Sequence, residues 1–184
     1  MAALTLGTLI AAPVSKASEL VAPVVLAAIV AAGLEDAIGV VEIDPELSDT
    51  AATEAAYELA ADTLANCVIV TGKRDGEERI AACLVPSHTR ADINNLVKRR
   101  LDVRKASFMP RESAVELTGM EFGAITPVGL PAGWPIYVDA AIIQTPLLVV
   151  GSGIRRSKLI IPGELFASLP GVEIVDELGL VPPA

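Results

Sequence analysis

The sequence predicts an α+β domain in which helices and strands follow one another without regular alternation. Segments with helical and strand periodicity alternate irregularly along the 184 residues, which argues against a doubly wound sheet. No internal repeat of about 20 to 50 residues is visible. Apolar residues make up 52% of the chain but aromatic residues only 3%. We therefore expect a core of Ala, Val, Leu and Ile, and disorder is excluded.

The first helix is expected within residues 20–34, an uncharged stretch rich in Ala and Val. This stretch is shorter than the roughly 20 residues that span a bilayer. Residues 1–15 carry no charge, whereas a signal peptide begins with a basic region. We therefore expect a buried helix and no membrane partner. A second helix is predicted over residues 51–64, which are rich in Ala and have Thr50 or Thr53 as candidate caps.

A β-hairpin is predicted next. Residues 67–71 and 79–85 are β-type runs, and Asp75-Gly76 between them is a typical hairpin turn. A short helix is expected over residues 111–117, directly after Pro110. Further short strands are expected at residues 136–138, 147–150 and 158–161.

The cysteines and the single histidine limit the chemistry. Cys67 and Cys83 form neither a CxxC pair nor a disulfide framework, which favours a reducing cytoplasm. The hairpin places Cys67 next to Cys83 or Leu84, so the two free thiols are expected side by side. His88 is the one histidine, which leaves a zinc site short of ligands and a Ser-His-Asp or Cys-His mechanism with a single base. No metal and no cofactor are expected.

The formal net charge of −9 is distributed unevenly. Residues 1–66 carry −9, residues 67–158 carry +4 and residues 159–184 carry −4. The total argues against a generally cationic nucleic-acid binder. The basic middle segment nevertheless suits a ligand with local negative charge.

The densest basic part of this middle segment runs from Arg90 to Lys105, with six bases against two acids, and contains a predicted helix over residues 91–101. The apolar residues of this helix fall on one stripe, which leaves Lys98, Arg99 and Arg100 largely on the solvent side. These bases form either an ordinary solvated helix face or an anion-binding surface. A second basic cluster follows residue 153 and consists of Arg155, Arg156 and Lys158.

Two glycine-rich segments are candidate binding loops. A predicted strand leads into Gly151-Ser152-Gly153, but Arg156 stands where GxGxxG needs its third glycine, so a dinucleotide site is not supported. A tight turn that presents N–H groups to a phosphate or carboxylate is the remaining functional interpretation. Residues 118–131 contain three glycines and two prolines. They can hold backbone N–H groups in a cleft, or they form an ordinary structural loop.

An ordered series of motifs resembles the YbaK/EbsC family. The series runs from an apolar strand and a second strand ending in Val85-Pro86, through the basic helix, Ala106 to Met109, Thr118-Gly119, Gly123 to Pro127, Gly129, Tyr137-Val138-Asp139 and Gly151 to Gly153. It covers about residues 35–178. Members of this family are editing domains related to an insertion in prolyl-tRNA synthetase, and they hydrolyse wrongly charged aminoacyl-tRNA.

The resemblance implies a mixed, mostly antiparallel sheet, partly barrel-like and flanked by helices. The chain length predicts one domain over residues 1–184, in which residues 1–34 are an N-terminal extension and opening helix. The resemblance also implies a cleft for the aminoacylated 3′-terminal adenosine. In this family the loop at Gly123 to Pro127 positions the ester carbonyl and a water through backbone groups, without a metal or a side-chain nucleophile. The ribose hydroxyl of the substrate assists.

The resemblance further implies two groups of site residues. The catalytic group is Gly123, Ala124 and Asn66. The substrate-binding group is Thr118, Gly119, Ile125, Thr126, Pro127, Asp139, Gly151, Ser152 and Gly153. The basic clusters, rather than the resemblance, predict the tRNA phosphate contacts, which are Lys98, Arg99, Arg100, Arg155 and Arg156. Two residues depart from the family pattern, because Asn66 stands where a lysine is usual and Ala124 stands where a second glycine is frequent.

The leading hypothesis is a freestanding trans-editing deacylase that hydrolyses the ester of a mischarged tRNA. The alternative is a weak or inactive family member that binds tRNA 3′ ends, a nucleotide or a protein partner. The expected partners are tRNA and, second, an aminoacyl-tRNA synthetase. The chain is expected in the cytoplasm, as a monomer or a homodimer.

Overall fold

The computed structural model describes residues 4–182, whose strands form two five-stranded sheets and one two-stranded sheet. The strands are β1 (Leu4–Leu6), β2 (Leu9–Pro13), β3 (Gly39–Glu42), β4 (Ala65–Arg74), β5 (Glu77–Pro86), β6 (Arg90–Ala91), β7 (Ala106–Phe108), β8 (Ile136–Asp139), β9 (Leu148–Gly151), β10 (Ser157–Ile161), β11 (Val172–Val175) and β12 (Gly179–Leu180). The helices are α1 (Pro23–Ala31), α2 (Thr50–Ala56), α3 (Lys98–Arg100), α4 (Arg111–Thr118) and α5 (Ala140–Gln144).

Antiparallel pairing dominates the two large sheets. The first sheet has the order β1-β2-β3-β10-β9 and is antiparallel throughout. The second has the order β11-β8-β5-β4-β7, and β8 runs parallel to both of its neighbours. A bridge between Leu64 and Val149 joins the two sheets, which gives a curled, half-barrel arrangement. The expected mixed, mostly antiparallel α+β fold is therefore confirmed.

The predicted hairpin forms, and both of its strands are ten residues long. Asp75 and Gly76 have φ angles of 53° and 88°, which is the type I′ turn that matches the twist of two paired strands. The register sets Cys67 opposite Leu84 and Val68 opposite Cys83. Because alternate residues of a strand face opposite sides, the two thiols lie on opposite faces of the sheet rather than side by side.

Those two faces of the second sheet carry separate cores. Ala82 and Leu84 of β5 belong to the main core, which includes α1 and β10. Cys83 belongs to a second core that is closed by Val97 and Leu101, at the inner side of the basic helix. Almost all of these residues are aliphatic, as the composition predicted. Burying each Val, Leu or Ile contributes about 1.5 to 3 kcal/mol relative to exposure.

The N-terminal part differs from its sequence-based description. The opening helix is present as α1, with Pro23 at its first position, where a missing N–H costs nothing. The residues before it form the hairpin β1–β2, and β2 pairs with β3 inside the first sheet. Neither strand was predicted from the sequence, although β1 and β2 pair locally across Gly7 and only the contact of β2 with β3 is long-range.

Two predicted helices are shorter or less regular than expected. The helix over residues 51–64 ends as α2 at Ala56, because Glu58 adopts a left-handed φ of 53°. The basic helix begins after Asp92, whose side chain accepts hydrogen bonds from two backbone amides. Its first five residues, Ile93–Val97, are π-helical, and only Lys98–Arg100 are α-helical.

Candidate functional site

A cavity of about 560 Å³ opens between the two large sheets. Its walls come from residues 64–69 at the start of β4, residues 149–151 of β9, Lys158 of β10, the start of α4, residues 48–50, and Phe122, Gly123 and Ile125. The predicted Ala124 is buried and does not line the cavity. Most of the lining is apolar. Size and lining are typical of a small-molecule site with a few polar groups that fix orientation.

The cavity lies along an open strand edge. The strand β7 pairs with β4 only at Val70 to Gly72, and Met109 adds one further bond to the carbonyl of Ile69. Within residues 4–182, no strand therefore pairs with residues 65–68 of β4 on that side. Unpaired edges present backbone N–H and C=O groups, so this wall can bind a ligand through its main chain.

Gly123 occupies a tight turn at the cavity wall. The amide of Ala124 donates to the carbonyl of Glu121 across 3.0 Å, and Gly123 has a φ of 84°. A positive φ only at the third position defines a type II turn, which favours glycine there. The amides of Gly123 and Ile125 have no acceptor among residues 4–182, and both residues line the cavity.

The turn between β9 and β10 holds the Gly123 turn in place. The amide of Gly153 donates to the carbonyl of Ala124 across 2.9 Å. A Cβ on Gly151 would lie 2.2 Å from that same carbonyl oxygen, so only glycine permits this approach. Ser152 is buried and bonds Ser157, with 2.7 Å between the two hydroxyl oxygens. Of the three predicted residues in this turn, Gly151 lines the cavity.

Several of the predicted substrate-binding residues support the site from outside the cavity. Thr118 is buried and donates to the carbonyl of Ala114 across 2.7 Å, and Gly119 ends α4 in the left-handed conformation. Thr126 and Pro127 are buried below the loop. Asp139 caps α5 and accepts from the amide of Gly179 across 2.7 Å. None of these five residues lines the cavity, whereas the predicted Ile125 does.

Asn66 lines the cavity and is held by α2. Its Oδ1 accepts a hydrogen bond from Thr50 Oγ1 across 2.7 Å. This bond assigns the oxygen end of the carboxamide to Thr50. The NH₂ end, which has two donors, has no acceptor among residues 4–182 and is free to bind a ligand oxygen.

Lys158 is a buried cation on the same cavity, and sequence analysis did not select it as a site residue. Only 8% of the residue is exposed, and its Nζ donates to the carbonyl of Ser48 across 2.7 Å. Its pKa is lowered to about 8, mainly by burial and also by the charge of Arg155, while Asp49 acts in the opposite direction. A lysine at the start of the apolar run at residues 158–161 is the feature of the sequence that indicates a buried cation. Sequence alone instead places Lys158 in one basic cluster with Arg155 and Arg156.

The two predicted arginines beside it are engaged with the protein. Arg155 donates to the carbonyls of Pro45 and Phe122 across 3.1 and 3.4 Å. Arg156 donates to the carbonyl of Glu19 across 2.7 Å and lies 3.6 Å from a carboxylate oxygen of Glu42. Arg155 thus joins the Gly123 turn to residue 45, close to the cavity.

The basic helix lies on the other side of the second sheet. Its buried residues pack against the second core, whereas the cavity shares residues with the main core, such as Met109 and Ile125. Arg100 pairs with Glu173 at 3.2 Å and lies 5.9 Å from the ring centre of Tyr137. The structure therefore does not bring Lys98, Arg99 and Arg100 together with the cavity.

Two exposed aromatic residues lie at the cavity. Phe108 is 56% exposed and Phe122 is 46% exposed, although the chain has only three phenylalanines. The guanidinium of Arg111 lies 4.5 Å from the ring centre of Phe122. All three side chains belong to the cavity lining. Exposed aromatic faces beside an arginine are suited to stacking with nucleobases.

The cysteine and histidine side chains offer little nucleophilic chemistry here. Cys67 lines the cavity, but burial, together with the neighbouring Cys83, raises the pKa of its thiol strongly, and the thiol is a poor nucleophile. His88 does not line the cavity. Within residues 4–182, no three His, Cys, Asp or Glu side chains cluster as a metal site, and no helix is long and apolar enough to cross a membrane.

Comparison with known proteins agrees with this geometry. The model of the aminoacyl-tRNA editing domain matches residues 44–169. The crystal structure of a proposed trans-editing enzyme for prolyl tRNA synthetase is similar with a TM-score of 0.72 and 21% identity, over 84% of this chain and 94% of that chain. A hypothetical protein, APE2540, is similar with a TM-score of 0.73 and 20% identity, over 85% of this chain and 99% of that chain.

Among curated protein sequences, none matches this chain. The structural likenesses establish the shared fold, and the family model extends over more than half of the sequence. The resemblance that the motif series indicated is confirmed. The chain belongs to the aminoacyl-tRNA editing domain family.

Proposed function

We propose that the chain is a trans-editing deacylase, which hydrolyses the ester bond of a mischarged aminoacyl-tRNA in the cytoplasm. The observation that carries this proposal is the Gly123 turn: the amides of Gly123 and Ile125 have no acceptor among residues 4–182, and both residues line a cavity of suitable size. Family membership supplies the class of substrate. The chain acts as a monomer or homodimer on tRNA, alone or beside an aminoacyl-tRNA synthetase.

In the proposed reaction, water attacks the ester carbonyl while the backbone of the Gly123 turn holds that carbonyl. Negative charge develops on the carbonyl oxygen, and preorganised N–H donors stabilise it. The ribose hydroxyl of the substrate helps to position the water. Since an aminoacyl ester is already activated, correct positioning and a modest stabilisation of the oxyanion suffice.

The remaining walls suit the other parts of the substrate. The aliphatic lining, which includes Ile69, Met109 and Val150, favours an uncharged amino-acid side chain. The amide of Asn66 and the open edge of β4 offer hydrogen bonds to the terminal adenosine. Phe108 and Phe122 offer stacking surfaces to the bases of the single-stranded 3′ end.

The experiment is a deacylation panel in which the chain is incubated with tRNAs that carry non-cognate amino acids. At least one pair should lose its ester faster than in buffer alone. The Gly123→Ala variant should lose most of this rate, because a Cβ there would lie 2.7 Å from Arg155 Nη1 and because φ is 84°. Gly133→Ala is the matched control, since Gly133 has a φ of 88° and open space around it.

Three outcomes decide between the functions. A rate that falls in the Gly123 variant but not in the Gly133 variant supports deacylation at this turn. No acceleration for any pair contradicts the proposal. Binding of tRNA without hydrolysis supports the alternative, a binding module that has lost turnover.

A further inference from the structure

Lys158 is an unusual residue to find in the wall of an apolar cavity. The three residues that follow it in β10 are aliphatic, and the residue is 92% shielded from solvent. A lysine that is almost fully buried is rare without a partner. No carboxylate lies within ion-pair distance of its ammonium group among residues 4–182, because all the ion pairs found there involve arginines.

The hydrogen bonds of Lys158 are also incomplete. An ammonium group has three donors, and Nζ makes one hydrogen bond to residues 4–182, to the carbonyl of Ser48. The hydroxyl of Ser48 is itself buried and has no partner in the described chain. Buried polar groups are normally satisfied. Two unsatisfied groups on one wall therefore indicate that a ligand supplies acceptors.

The charges around the cavity favour an anion. Lys158 and Arg111 line it together with a single acid, Asp49, which lies 3.9 Å from Arg155. The charge of Arg155 also acts on Lys158. Asp49 therefore faces more positive than negative charge. The thiol of Cys67, the other titratable group of the lining, is protonated. An anionic group of the ligand would balance this excess.

We propose that Lys158 is the phosphate-binding residue of the cavity, and that its ammonium group holds the phosphate of the terminal nucleotide. The inference rests on the proposed function, because that function makes the ligand a nucleotide rather than another anion. Lys158 and Asn66 hold the two ends of the segment Ser48 to Thr50. The phosphate contact and the adenosine contact would thus be fixed by one short piece of chain.

The test compares the binding of adenosine 5′-monophosphate, adenosine and inorganic phosphate by calorimetry. At pH 7 we expect the monophosphate to bind at least tenfold more tightly than adenosine. This preference should shrink between pH 7 and pH 9.5, because Lys158 loses its proton, whereas the phosphate is already fully ionised above its second pKa of about 6.

Three variants separate Lys158 from general electrostatics. Lys158→Met should lose the preference, so that the monophosphate binds no more tightly than adenosine does. Lys158→Arg should keep the preference across the pH range, since a guanidinium stays charged. Lys73→Met is the matched control, because Lys73 is exposed on β4 and outside the cavity, and it should behave as the unchanged chain.

The outcomes distinguish this inference from the proposed function. A preference that survives in Lys158→Met, or that is independent of pH in the unchanged chain, overturns the inference. Inorganic phosphate that binds as tightly as the monophosphate also overturns it, because the site would then be a general anion site. None of these measurements involves ester hydrolysis, so a negative deacylation panel leaves their result intact.

Discussion

Gly153 donates its backbone amide to the carbonyl oxygen of Ala124 across 2.9 Å. This bond fastens the turn after β9 to the turn that contains Gly123, although the two lie about thirty residues apart in sequence. The position of the Gly123 amide is therefore set by the first sheet as well as by its own loop.

We expect Gly151→Ala to displace the Gly123 turn. The added Cβ would meet the carbonyl of Ala124 at 2.2 Å, and overpacking of this kind costs about 1 to 3 kcal/mol. Deacylation should fall at least tenfold at a temperature where the variant is folded, as judged by circular dichroism. Gly76→Ala, in the open hairpin turn, is the comparison. Full activity in Gly151→Ala would show that the two turns are not coupled.

Lys158→Met should be more stable than the unchanged chain at neutral pH. The folded pKa of about 8 lies below the ordinary value of 10.5, so the unfolded chain binds this proton more tightly. The cost is fully present below pH 8, falls as pH rises, and is gone above 10.5. This cost amounts to roughly 3 kcal/mol, at about 1.4 kcal/mol per pKa unit. The figure does not include the hydrogen bond to Ser48 that the Met variant loses.

Urea unfolding of both proteins at pH 7 and pH 10 measures this effect. The difference in free energy of unfolding should be clearly smaller at pH 10. A Met variant that is less stable at pH 7 would contradict the prediction. A stabilised variant that has lost ligand preference would show that Lys158 is retained for binding at the expense of stability.

Asn66→Ala should reduce deacylation about tenfold, because the cavity loses a hydrogen-bond donor on the wall beside β4. Thr50→Val should reduce it less, since the carboxamide remains but its orientation is no longer fixed by the 2.7 Å bond. A double-mutant cycle of the two changes measures their coupling. If the effects on the rate simply add, Thr50 does not act through Asn66.

Replacing Lys98, Arg99 and Arg100 together by Gln tests the basic helix. If tRNA reaches around the second sheet to this helix, the triple variant should bind tRNA more weakly. The slope of log affinity against log salt concentration should also fall, by roughly 0.7 to 0.9 for each lost phosphate contact. An unchanged slope would identify the helix as a solvated face. Because the second sheet lies between the basic helix and the cavity, one tRNA would have to contact both sides of that sheet.

Local signals in the sequence predicted much of the fold. The Asp75-Gly76 turn, the proline before α4 and the short apolar runs at β8, β9 and β10 all lie where expected. Each depends on residues that are close in sequence. The hairpin β1–β2 was missed although its pairing is local, because its strands are short and only β2 reaches the rest of the sheet, through two residues paired with β3.

The site was predicted in part for the same reason. The order of the motifs predicted site residues that include Gly123, Asn66, Ile125 and Gly151. These four residues line the cavity. Lys158 was missed because its partner, Ser48, lies 110 residues away. Whether a strand lysine faces solvent or a cavity is decided by such distant contacts, and periodicity does not contain them.

Lys158 and Gly151 are direct partners across the strands β10 and β9. A slip of one residue between these strands would turn the ammonium group to the opposite face and would carry the Gly153 amide away from Ala124. The cation and the Gly123 turn would then both be displaced from the cavity by one change of register. Both features thus depend on the register between β9 and β10. We expect that mutations far from the cavity which loosen this pairing abolish activity although most of the fold is retained.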